Sequence, residues 1–182
     1  MSCTTLLTAD ILNNCDNQPI KGLKPKAWTF NRSQLTVTAT NNAISALANI
    51  GAATGFSIEG FKDFMNAGYD AVVTENMPTM YTHYFSVNLW AATAAEKKNI
   101  DKADDIIVIV EKNGAQGEGT FLAYGYKNGL WKSSQTRRAN DAQGVSTAEF
   151  TSREGMGEEY SEYVVNIGGS YATTLAALNA LL

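Results

Sequence analysis

Asp105-Ile106-Ile107-Val108-Ile109-Val110 is the stretch on which the fold turns. Its five apolar residues are all β-branched, and such side chains favour an extended, pleated backbone. A strand with one wet face alternates apolar and polar residues. A run without a polar member has both faces to bury. The stretch therefore predicts a central strand with a packed layer on each side.

Working outward toward the C-terminus, Gly114, Gly117 and Gly119 predict a loop, and residues 120–126 a strand. Asn128-Gly129 is a turn signal leading into a further strand over residues 130–136. Residues 145–153 and 159–166 read as two more strands, and Gly168-Gly169 breaks the chain. Ser170 is placed to cap a last helix, residues 170–182, in which Tyr171, Leu175, Leu178 and Leu182 make one apolar stripe.

Toward the N-terminus, Thr93-Ala94-Ala95-Glu96 fits a capping box opening a helix to about Ala103. Residues 81–90 alternate cleanly: Tyr81, His83, Phe85, Val87 and Leu89 share one face of a strand. Ile44, Leu47 and Ala48 lie at i, i+3, i+4 spacing and predict a short helix over 42–50. Phe61, Phe64 and Met65 predict a second over 59–67, stopped by Gly68. Residues 27–40 read as strand through Trp28, Phe30, Leu35 and Val37. Residues 1–26, with the polar cluster Asn13-Asn14-Cys15-Asp16-Asn17 and Lys21, Lys24 and Lys26, read as an extended N-terminal arm.

The expected fold class is thus mainly β (α+β): an antiparallel β-sandwich or partly closed barrel with a few short flanking helices. Residues 27–182 form a single β-rich domain behind the arm. A length of 182 residues suits one domain of this kind. Charged residues make up 18% of the chain, below the ~25% of an ordinary protein. Such a surface suits a protein that hides much of itself against neighbours, and composition alone fits a weakly charged monomer equally well.

The net charge of −4 argues against phosphate-directed nucleic-acid binding. No apolar run is long enough for a membrane span, and the first residues lack the features of a secretory signal. Cys3 and Cys15 are then expected to be reduced thiols.

No catalytic, cofactor or metal site is expected. The chain has one histidine, His83, in mid-strand, where packing accounts for it. A hydrolytic triad needs a nucleophile and an orienting acid around such a histidine, and there is no G-x-S-x-G elbow. Two cysteines and one histidine without a C-x-x-C pair do not make a zinc site. The loop Gly114-Ala115-Gln116-Gly117-Glu118-Gly119 has neither the dinucleotide spacing nor a phosphate-binding lysine.

The charge distribution is more informative. Lys127, Lys132, Arg137 and Arg138 give residues 127–138 a net +4, while Glu149, Glu154, Glu158, Glu159 and Glu162 against Arg153 give residues 149–162 a net −4. The two segments either pair as neighbouring strands within one molecule or face different copies as a subunit interface, joining them head to tail.

Several of these stretches resemble the tube and tube-like structural proteins of bacteriophage tails. They are Asp105 to Val110, Phe121-Leu122-Ala123-Tyr124-Gly125-Tyr126-Lys127-Asn128-Gly129-Leu130, Gly144-Val145-Ser146-Thr147-Ala148-Glu149-Phe150, the acidic stretch and the C-terminal helix. Leu6-Leu7-Thr8-Ala9-Asp10-Ile11 and the polar cluster after it are similar to phage structural proteins of like length. The resemblance implies a β-sandwich, rings stacked into a DNA conduit, and no catalytic residues. It also implies an N-terminal arm and a loop or hairpin, here around residues 51–80, that bridge adjacent subunits. The partners would be further copies and other virion proteins, with DNA passing through an acidic lining. The site of action would be the virion, after synthesis in the host cytoplasm. Helices at 42–50 and 59–67 would exceed what a minimal tube subunit needs and leave room for a head decoration, connector or tail-terminator role. A reading of another class is a glycan- or ligand-binding module that stacks its ligand on Trp28, Trp90, Trp131 or Tyr160.

Overall fold

The computed structural model describes residues 21–60, 64–89, 93–114, 116–137 and 145–182. The first strands are β1 (Leu23–Asn31), β2 (Leu35–Thr40), β3 (Ala43–Asn49), β4 (Phe56–Glu59), β5 (Met65–Val72) and β6 (Met80–Leu89). Helix α1 (Ala94–Lys102) precedes β7 (Ile106–Lys112), β8 (Phe121–Tyr124), β9 (Trp131–Arg137), β10 (Ser146–Thr151), β11 (Tyr163–Val165) and α2 (Tyr171–Ala180). Among the described residues the strands form a seven-stranded sheet, in the order β2-β3-β11-β8-β7-β1-β4, and a four-stranded sheet, β5-β6-β10-β9. Pairing is antiparallel except between β3 and β11. The two sheets pack face to face, and neither closes into a barrel.

The quoted stretch is the middle of this arrangement. Ile106, Val108 and Val110 enter a core shared with Phe85, Val87 and Phe150 of the small sheet. Ile107 and Ile109 point the other way, into a second core with Trp28, Phe30, Phe121 and Leu178. All five are at most 2% exposed, as a strand buried on both faces requires.

Only residues 32–34 separate β1 from β2, yet four strands lie between them in the sheet. Five strand spacings on a flat sheet would exceed 20 Å, against a reach of roughly 14 Å for the connection. The sheet therefore curls until its ends approach, and the second core fills the curl. Helix α2 packs against that core through Leu178, with Tyr171 stacked on Phe121 at 5.3 Å between ring centroids. Ser170 caps it by accepting from Thr173 N. The capping box of α1 forms as expected, Thr93 Oγ1 accepting from Glu96 N at 3.2 Å and Glu96 Oε2 from Thr93 N at 2.9 Å.

Several expectations are corrected. The helix expected over 42–50 is strand β3. Its pairing with β2 slips at one residue: Ala39 faces Ile44 while Thr38 faces Ala46, leaving Ser45 as a bulge. One extra residue turns the strand spacing of two or four into the three that separates Ile44 from Leu47, so a bulge imitated a helical period. The helix expected over 59–67 gives way to β4 and β5, with residues 61–63 outside the described set. Gly68 is no helix stop. It lies within β5 opposite Tyr84, whose hydroxyl would sit 2.6 Å from a Cβ at that position.

The strand expected over 27–40 is interrupted by the turn at Arg32–Gln34. The Asn128-Gly129 turn exists, but it carries the chain from one sheet to the other rather than closing a hairpin. Gly129 has φ +74°, and a Cβ there would lie 2.1 Å from Asp105 Oδ1. Asp105 is itself held by Arg32, whose Nε and Nη2 donate to its two oxygens at 2.6 and 3.1 Å. Of the expected arm, residues 1–20 lie outside the described set and Leu23, Lys24, Pro25 and Lys26 open β1.

Candidate assembly surface

The charged segments serve several ends. Lys127 and Glu159 form an ion pair within the chain. Lys132 donates through Nζ to Asp101 O at 2.8 Å, while its backbone N–H reaches Asp104. Glu162 accepts from the Tyr124 hydroxyl at 3.0 Å. Glu149 is exposed and accepts from Ser134 Oγ. Arg137 and Glu154 are exposed, and Arg138 lies outside the described residues. Thus Arg137, Glu149 and Glu154 remain directed at solvent.

Glu158 is wholly buried. Its oxygens accept from Lys127 N at 3.1 Å, Asn128 N at 2.9 Å and the Tyr163 hydroxyl at 3.1 Å. Beside it, His83 is also 0% exposed. Its Nδ1 accepts from Gly125 N at 3.1 Å, which leaves Nε2 to carry the proton and donate to Tyr160 O at 2.9 Å. The knot is enclosed and its polar atoms are matched, so it ties β6, the β8–β9 turn and the approach to β11 together.

Burial pulls the His83 pKa below 6.5, opposed by the bond to Tyr160 and by the nearby Glu158 and Glu162 carboxylates. The unfolded chain then takes up a proton below pH 6.5 that the fold resists, so stability rises with pH through this window and is lost as pH falls. Because the chain has a single histidine, urea unfolding between pH 7 and pH 5.5 should show a slope of up to about 1.4 kcal/mol per pH unit. His83→Gln should flatten that slope. An unchanged slope in the variant would assign it to other groups.

The β5–β6 hairpin ends in an apolar tip. All residues from 71 to 80 are exposed. Val73 is 79% exposed, Met77 65%, Val72 46% and Met80 36%. Within the stretch 51–80, read from the sequence as a loop or hairpin, residues 56–59 and 65–72 are strands, and the loop that joins β5 to β6 is 73–79. The sequence signal for it was the apolar pair Val72-Val73 beside the turn residues of 74–79, where no packed element follows.

At the other end of the same hairpin, the sheets part over a groove of about 890 Å³. Thr29, Ile58, Phe64, Val87, Leu89 and Ile100 line it. Thr29 is 7% exposed, and its hydroxyl has no hydrogen-bond partner among the described residues. Lys102 stands at the groove without an ion pair among the described residues, whereas Glu59 is paired with Lys26 and Glu96 serves the capping box.

The outward face of the small sheet is polar: Thr82, Tyr84, Ser86 and Asn88 of β6 run beside Thr147, Glu149 and Thr151 of β10. Of the aromatics proposed to stack a ligand, Trp28 is 1% exposed, which corrects its reading as an open platform. Arg153 sits over the Trp131 ring at 3.3 Å, and Tyr160 packs edge-on against Tyr163. Trp90 lies outside the described residues. No described helix is long and apolar enough to cross a membrane, and the described residues hold no cluster of three or more metal-ligating side chains. No protein-family model, curated protein or solved structure matches the chain.

Proposed function

We propose that this chain is a self-assembling structural subunit, of the kind found in phage tails, whose copies stack as rings into a tube that conducts DNA. The observation that carries this reading is the apolar tip of the β5–β6 hairpin. Large apolar side chains gathered at an exposed strand end raise the free energy of the isolated subunit and lower it once a partner covers them. Two of the four, Met77 and Met80, are methionines, whose flexible side chains adapt to a neighbour's surface.

Other features agree with it. Both sheets end in edge strands with free backbone donors and acceptors among the described residues, which a neighbour's strand can extend. The polar outward face of the small sheet, with Glu149 upon it, suits a lumen past which an anionic polymer slides without sticking. In this reading the partners are other copies and other virion proteins, the place of action is the virion, and no step requires a catalytic residue, cofactor or membrane.

Sedimentation velocity across concentration tests this reading. A self-assembling subunit shifts to large species as concentration rises, and Val73→Asp with Met77→Asp should weaken that association at least tenfold. Discrete single rings would point to a connector or terminator. A monomer at every concentration would refute self-assembly.

A further inference from the structure

We propose that the inter-sheet groove is the socket for the β5–β6 tip of a second copy, so that subunits join head to tail. The proposal rests on the self-assembly reading above and specifies its contact. Tip and groove lie at opposite ends of one strand pair: Val72 and Met80 at one end, Phe64, Val87 and Leu89 at the other. Seven residue steps along β5 separate them by about 23 Å. A surface at one pole that fits a different surface at the other makes a heterologous contact, which repeats from copy to copy and closes into a ring or runs on as a filament.

Charge supports the same pairing. The tip carries Asp70 and Glu75 and no cation between Asn66 and Met80. Neither acid makes an ion pair among the described residues. At the groove the two acids are engaged within the chain, and Lys102 is the charge left to meet them. Val73 and Met77 supply the apolar filling.

Complementation tests the contact. One variant carries a disabled tip, Val73→Asp with Met77→Asp. The other carries a disabled groove, Ile100→Asp. Circular dichroism checks that both fold. Each variant alone should sediment as a monomer, and an equimolar mixture should form a species of two copies that grows no further, because one intact tip finds one intact groove. Lys102→Glu, a change at an exposed position, gives a second arm. It should weaken assembly at least tenfold, and Glu75→Lys added to it should restore most of the loss.

A mixture that stays monomeric, with no rescue in the charge swap, overturns the proposal. So does assembly that survives the tip variant and stops when residues 1–20 are deleted, which would assign the groove to that segment. If wild type assembles and none of the substitutions matters, this contact is wrong and the self-assembly reading stands. A monomeric wild type removes both.

Discussion

Glu158→Ala is expected to lower the unfolding free energy by about 3–5 kcal/mol, because two backbone N–H groups and a buried phenol lose their acceptor together. Each orphaned buried donor costs about 1–3 kcal/mol, and the contributions overlap because the groups share one site. A domain of this size has about 5–15 kcal/mol in hand, so the variant should be marginally folded at room temperature. Glu158→Gln keeps one acceptor oxygen and should lose about 1–2 kcal/mol. Urea denaturation measures both. A loss under 1 kcal/mol in the alanine variant would mean that water or a rearranged turn replaces the carboxylate, and the enclosed knot would be misdescribed.

Trp28→Ala should be comparably damaging, at about 3–5 kcal/mol. Trp28 is 1% exposed, meets Phe121 edge to face at 5.7 Å, and donates from Nε1 to Asn179 Oδ1 at 3.1 Å. It is therefore both a wall of the second core and a latch on α2. The two roles separate by measurement. Asn179→Ala removes the latch, together with the exposed Lys26 Nζ bond to the same oxygen, while leaving the indole in the core, and should cost about 1 kcal/mol. Trp28→Ala should also speed hydrogen exchange along α2 relative to β7, since the helix loses its seat while the central strand keeps both layers. Equal exchange in the two elements would mean that α2 opens only with the whole domain.

The central strand was legible because its signal was local and repetitive. Ile106 to Val110 offer no polar residue to turn outward, so burial on both faces followed from the residues themselves. The caps at Thr93 and Ser170 were legible for the same reason: partner and donor lie three residues apart. Residues 42–50 misled because a bulge at Ser45 changes the spacing of apolar side chains without changing the secondary structure. Whether a spacing of three means a helix or a bulged strand is decided by a partner strand, and β2 is visible only in the fold.

The charge blocks show the same limit in another form. Five acids in fourteen residues read as a solvated surface, yet Glu158 is the most enclosed acid described, held by donors 30 residues or so away in the chain. Lys127 and Glu159 answer one another directly. The apolar tip was harder to see. Val72, Val73, Met77 and Met80 look like ordinary core residues until the hairpin carries them away from both cores. The groove is assembled from β1, β4, β6, β7, β10 and α1 together, so no single stretch announces it.

The interior of this fold is well satisfied, and the proposed assembly rests on two poles that are not. Its internal acids have donors and its central strand is covered on both faces. What remains open is an apolar tip at one end of a hairpin and a groove at the other. Electron microscopy of the concentrated wild-type protein tests that account most directly. Rings or tubes in which the β5–β6 tip of each copy meets the inter-sheet groove of the next are the predicted result. Dispersed single subunits at every concentration, with the tip bare, would contradict it.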